Sequence, residues 1–210
     1  DFYKKNGVPV KYVGHPLANQ YEMSPSRDSA CQSLQLNPDL PILALMPGSR
    51  SSEIKMMADL FLEVVMAIRS QLKNLQVVMP AASQQLFQQL KQIIAKRPEA
   101  EVRLLLKQSK LAMTASNVVL LTSGTTSLEA MLLKKPMVVS YKMGSVTYAI
   151  VSPFIRTPFI SLPNLLAEKR LVPEFIQSEA TVEKLTNAVM SSFDASTSNT
   201  LESEFVRLHE

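Results

Sequence analysis

Short apolar runs alternating with amphipathic helical segments predict an α/β fold built on a doubly wound parallel sheet. Two further observations support it. The runs Ile42 to Met46 and Val118 to Leu121 are continuously apolar rather than alternating, as strands covered by helices on both faces are. Each passes through a glycine-containing turn straight into a segment of helical periodicity, the strand-to-helix step of such folds.

In chain order, Val8 to Val13 alternates enough for a short strand, ended by the rigid turn Gly14-His15-Pro16-Leu17, whose proline aims His15 toward the strand's carboxyl end. Ser26 to Leu36 reads as a modest helix closed by Asn37-Pro38. Ile42 to Met46 is the next strand, and the loop Pro47 to Glu53 leads into a strongly amphipathic helix with Ile54, Met57, Leu60, Phe61, Val64, Val65, Ile68 and Leu72 on one face. Leu75 to Met79 is a strand, Gln84 to Lys96 a helix, Val102 to Leu106 a strand, and Leu111 to Ser116 a short helical link. After the strand Val118 to Leu121, Ser123-Gly124-Thr125-Thr126 breaks the pattern. A helix begins near Thr125, with Leu128, Met131, Leu132 and Lys135 at spacings of three and four. Pro136 to Tyr141 is a further strand. Val146 to Phe154 is apolar and rich in aromatic and β-branched residues. Ser161 to Ala167 sets the polar Asn164 among apolar neighbours, and an asparagine there needs partners for its amide, from a ligand or from backbone. Val172 to Ile176 leads into helices at Val182 to Phe193 and Leu201 to Leu208, separated by the polar, disordered-looking stretch Asp194 to Asn199.

Composition narrows the functional classes. The chain has 210 residues, 46% hydrophobic and 19% charged, enough for a substantial core. It starts at Asp1 and its last helical pattern stops at His209-Glu210, so it reads as a fragment. One cysteine, Cys31, excludes an internal disulfide framework, and two histidines with one cysteine are too few soft ligands for a zinc site. The expectation is a cytosolic protein without metal or cofactor. A net charge of +4 and a pI near 9.2 suit phosphorylated small molecules, anionic lipid or nucleic acid. The cations are dispersed, there is no tryptophan, and no basic tract is interleaved with aromatics, which argues against nucleic acid.

Two turns carry the chemistry. A helix opening at Ser123, Gly124 and Thr125 presents unpaired backbone N–H groups and the positive end of its dipole, which suits a phosphate or diphosphate; hydroxyls there can also cap the helix. Glu129, one turn inside, can accept hydrogen bonds from sugar hydroxyls. In the other turn Gly48 allows close backbone approach, Ser49 follows it, and Arg50 can grip a phosphate with two parallel hydrogen bonds. Both turns fall at carboxyl ends of strands, the usual ligand edge of an open α/β sheet.

The stretches YVGHPLA, MPGSRSSEI, LLTSGTTSLEAMLLKKPMVVSYKM, TPFISLPNLLAEKRLVPEFIQ and FVRLHE, in this order and spacing, together resemble the lipid-A-disaccharide synthases, UDP-sugar glycosyltransferases of Gram-negative bacteria. The resemblance covers almost the whole chain. It implies a Rossmann-like half, the carboxyl-terminal, nucleotide-binding one, of a GT-B type enzyme. Residues 1–180 would form that domain, 181–210 truncated terminal helices, and an amino-terminal acceptor domain would be absent. The implied reaction condenses UDP-2,3-diacylglucosamine with 2,3-diacylglucosamine 1-phosphate to the disaccharide 1-phosphate and UDP, with inversion and without a metal. The family's phosphate-contacting arginine falls on Arg50 and its essential asparagine on Asn164, the two implied catalytic positions. The nucleotide set falls on Gly48, Ser49, Arg50, Ser123, Gly124, Thr125, Glu129 and Asn164. The departures, Thr126 where alanine is frequent and Asn117 where aspartate is, do not threaten that set. The family's aspartate general base would lie in the missing half.

The implied setting is the cytoplasmic surface of the inner membrane, with Val146 to Phe159 and Lys142, Arg156, Lys169 and Arg170 as a peripheral contact to anionic lipid. A homodimer is a further implied partner. Two other readings stay open: another GT-B enzyme or UDP-N-acetylglucosamine 2-epimerase, and a non-catalytic interaction module whose turns are purely structural.

Overall fold

The computed structural model describes residues 6–9, 15–144 and 158–210, apart from the side chains at 196 and 197. Most of the expected strand Val8 to Val13, the apolar segment Val146 to Phe154 and Arg156 therefore lie outside the described residues. Six parallel strands form one sheet: β1 (Ile42–Met46), β2 (Gln76–Ala81), β3 (Val102–Leu106), β4 (Val118–Thr122), β5 (Met137–Tyr141) and β6 (Glu174–Ile176). Their order is β3-β2-β1-β4-β5-β6, the doubly wound arrangement expected.

The strand sequences explain the two layers. β1 is buried along its whole length. Ile42, Ala44 and Met46 join one core cluster and Leu43 and Leu45 the other, because successive side chains leave a strand on opposite faces. β4 divides in the same way, Val119 and Leu121 against Val118 and Leu120. The first face is covered by α1 (Arg27–Leu34), α4 (Ser109–Ala115), α5 (Thr125–Leu132) and α8 (Ala195–His209); the second by α2 (Ser51–Arg69), α3 (Gln84–Ile94) and α7 (Val182–Ser192). A short helix, α6 (Leu162–Ala167), lies against α5. The stripe expected on α2 is real: Ile54, Met57, Phe61, Val64, Val65 and Ile68 are fully buried. Each such side chain contributes roughly 1.5–3 kcal/mol on burial.

The stretch Asp194 to Asn199 corrects the sequence reading. Its backbone is helical from Ala195 onward, the first turns of α8. The polar composition misled because α8 meets the core through few side chains, chiefly Phe205 (fully buried) and Leu201. Tertiary packing rather than propensity holds such a helix. Within Val172 to Ile176, which sequence reading left unassigned, Glu174–Ile176 forms β6; Pro173 precedes it and contributes its carbonyl, which accepts from Val139 N at 3.0 Å. Among the described residues no helix is long and apolar enough to cross a membrane.

Candidate functional site

Between β1 and β4 the winding of the sheet reverses, so the loops leaving their carboxyl ends diverge and open a crevice. The Gly48 loop follows β1 and the Ser123 turn follows β4. The two strand ends are tied by Thr122, whose Oγ1 donates to Met46 O at 3.3 Å. The turns that sequence reading singled out separately are thereby neighbours.

Gly48 has φ +128, and a Cβ there would lie 2.4 Å from Glu53 Cβ and 2.6 Å from Glu53 Oε2. Glycine is required on both counts, conformation and space. The carboxylate packed over it occupies the anion position of the loop. Glu53 Oε2 accepts from Ser49 N at 2.8 Å and Arg50 N at 3.2 Å, and Oε1 pairs with Arg50 Nη1 at 3.2 Å. Glu53 thus reaches back to the N-cap of α2 and preorganises two N–H groups and a guanidinium around an oxyanion. The Arg50 side chain is 79% exposed, so it can leave Glu53 for another anion without unpacking the core.

At the other turn Gly124, with φ +153, is the N-cap of α5, and no side chain caps this helix start. Capping, the structural alternative for Ser123, is not what its hydroxyl does: it donates to Ile160 O at 2.8 Å. Ser127 Oγ donates to Gly124 O at 2.7 Å and accepts from Leu162 N at 3.3 Å. The first N–H groups of α5 remain available to a ligand.

Gly48 and Ser49, Thr125 and Thr126, and Glu129 line one cavity of about 210 Å³, closed by Pro80 to Ala82 at the carboxyl end of β2 and by Lys107 after β3. Its size is below the roughly 300–1,000 Å³ of a site that encloses a whole drug-sized ligand. Glu129 also holds Tyr21: burial first, and then the Glu129 charge and hydrogen bond, keep the phenol protonated well beyond its usual range. Lys110 Nζ lies 4.7 Å from the centroid of the Tyr21 ring.

Asn164 does not join this cavity, and the expectation of a ligand-facing amide is corrected. It is fully buried. Its Oδ1 accepts from Leu171 N at 2.7 Å and Val172 N at 2.9 Å, while Nδ2 donates to Val172 O at 2.9 Å and Glu174 Oε1 at 2.8 Å. All four hydrogen bonds an amide can make to this surrounding are internal. Glu174 completes the clasp, accepting from Ile160 N at 2.9 Å, Ser161 N at 2.9 Å and Ser161 Oγ at 2.5 Å. Asn164 and Glu174 shape the Ile160 to Leu162 segment, which Ser123 and Ser127 in turn bind to the start of α5. Asn164 acts on the site through its scaffold.

Of the predicted set, Gly48, Ser49, Thr125 and Glu129 share the cavity, Ser123 and Gly124 build its helix turn, Arg50 stands beside it on Glu53, and Asn164 lies behind it. Lys107, Glu53 and Glu174 escaped sequence reasoning. Lys107 had a usable signal, a lysine directly after a strand. The other two look like ordinary exposed acids until their partners are known.

Comparison with known proteins adds a family and a fold. A family model described as lipid-A-disaccharide synthetase matches residues 1–209. Lipid-A-disaccharide synthase 2 of Legionella pneumophila is 42% identical over 209 residues, covering 99% of this chain and 54% of the relative. The chain thus spans about half the length of that curated relative. Among solved structures, WaaG, a glycosyltransferase involved in lipopolysaccharide biosynthesis, superposes with a TM-score of 0.63 at 13% identity over 92% of this chain and 49% of its own. The carboxyl-terminal domain of the group 1 glycosyltransferase LpcC from Francisella tularensis gives 0.59 at 11% identity, covering 91% and 94%. At such identities the likeness is one of fold: the Rossmann-like half of GT-B glycosyltransferases.

Proposed function

Since the chain belongs to the lipid-A-disaccharide synthetase family, we propose that it is the donor half of that glycosyltransferase and binds the UDP portion of UDP-2,3-diacylglucosamine. The observation that carries this reading is the convergence of the Gly48 loop and the uncapped start of α5 on one cavity at the switch point of the sheet. Transfer of the sugar to the 6-hydroxyl of 2,3-diacylglucosamine 1-phosphate leaves negative charge on UDP. Arg50, Lys107 and the α5 N–H groups are placed to receive that charge, and the carboxylate of Glu129 suits ribose hydroxyls. Arg50 exchanges its pairing with Glu53 for the diphosphate. The base that deprotonates the acceptor belongs to the facing half, which also completes a cavity too small for the whole donor.

UDP is therefore expected to stabilise this chain. At a hundred times its dissociation constant it adds about 2.7 kcal/mol, read as a raised thermal midpoint. An unchanged midpoint with millimolar UDP removes the nucleotide site and leaves the interaction-module reading.

The acylated substrates place the reaction at the cytoplasmic surface of the inner membrane. Exposed Lys169 and Arg170 suit anionic headgroups. The chain is expected to sediment with phosphatidylglycerol vesicles at low salt and to be released at high salt. Equal recovery in the supernatant with and without vesicles refutes this contact.

A further inference from the structure

At the opposite edge of the sheet, where β4 and β5 begin, lies a second and larger cavity of about 440 Å³. Three cations line it: Arg27 from α1, and Lys134 and Lys135 just past the end of α5. The fold fixes where they stand. α5 ends in a Schellman motif, Lys134 N donating to Met131 O and Lys135 N to Ala130 O, each at 2.9 Å, with Lys134 left-handed at φ +56. A lysine in that conformation is uncommon. Lys134 is buried and Nζ meets His209 Nδ1 at 2.6 Å. Lys135 Nζ donates to Ser116 O at 3.0 Å. Arg27 is held by Nη1 on Pro38 O at 2.9 Å and Nη2 on Asn117 Oδ1 at 3.1 Å, and its Nε is buried without a partner among the described residues.

None of the three makes an ion pair among the described residues. Their hydrogen bonds go to carbonyls, an amide oxygen, a sulfur and an imidazole. The acid lining the cavity is Glu202 on α8, an exposed side chain that does not reach ion-pairing distance. Positive charge gathered in a walled space without a counterion is unfavourable in the empty chain. Burial, and then the charge of Arg27, push the Lys135 amine down to about 8; Cys31 on α1 and Glu202 pull the other way. A bound oxyanion reverses this balance, accepting from Arg27 and Lys135.

We propose that this cavity is a second anion site, separate from the nucleotide edge, which takes the phosphate group of a phosphomonoester between Arg27 and Lys135. The two sites lie at the two ends of α5: its first residues line one, and Lys134 and Lys135 just past its last turn line the other.

Calorimetric titration of the chain with inorganic phosphate, repeated on Lys135→Met, Arg27→Gln and Arg50→Ala, tests the site. Phosphate is expected to bind saturably to the unaltered chain and to Arg50→Ala. In Lys135→Met and Arg27→Gln binding weakens at least about tenfold, the loss of one charge-assisted contact. Lys135→Met, relieved of a half-buried cation, should melt no lower than the parent, so that loss of phosphate binding there is not loss of fold. Competition by vesicles containing phosphatidic acid, a lipid phosphomonoester, would assign the phosphate to a lipid headgroup, and its absence to a soluble ester; either leaves the site standing. Loss of binding in Arg50→Ala with retention in Lys135→Met, or no saturable binding at all, overturns the proposal.

Discussion

Arg50→Ala, introduced into an enzyme that carries both halves, is expected to lower kcat by about a hundredfold or more, the usual cost of losing one donor to charge that grows in the transition state, about 3–4 kcal/mol. Stability should barely change. The side chain is 79% exposed and its pairing with Glu53 is an i,i+3 surface contact, of a kind worth at most about 1 kcal/mol. The loop keeps its form without the guanidinium, because Glu53 still holds Ser49 N and Arg50 N. Arg50→Lys should rescue little, since one ammonium cannot make the planar two-pronged contact. Steady-state kinetics paired with thermal melts check this. A kcat within threefold of the parent would remove Arg50 from the chemistry, whereas a large drop in melting temperature would make it structural.

Asn164→Ala is expected to act in the opposite way, through the fold. It strips the part-buried N–H of Leu171 and the buried N–H of Val172 of their shared acceptor and removes a donor from Glu174, at about 3–5 kcal/mol in total. Asn164→Asp is no remedy: a carboxylate would face Glu174 across the 2.8 Å now bridged by Nδ2, and like charges so close oppose ionisation. Any loss of activity should follow from displacement of the Ile160 to Leu162 segment, and with it the Ser123 and Ser127 contacts at the start of α5. Denaturant unfolding of Asn164→Ala decides. An unchanged midpoint with abolished activity would return the amide to the ligand.

The layered sheet was legible in the residues, because burial on both faces needs nothing beyond the chain's own local pattern. Continuous runs such as Ile42 to Met46 and Val118 to Leu121 state it outright, as does the stripe on α2. The Gly48 and Ser123 turns were legible too, since each stands at a strand end and departs from the apolar pattern. Hydrogen-bond partners were not legible in this way. Asn164 reads as a polar residue in search of a ligand until Leu171, Val172 and Glu174 turn back onto it. Glu53 reads as a helix acid until Gly48 leaves room for its carboxylate over the loop. Arg27 and Lys135 are more than a hundred positions apart in the sequence, and their meeting at one cavity depends on β4 lying beside β1. Local sequence determined which segments become strands and helices and where glycine-bearing turns interrupt them. Tertiary structure alone decided which polar groups satisfy one another and which are left for a ligand, since that depends on contacts between segments far apart in the chain.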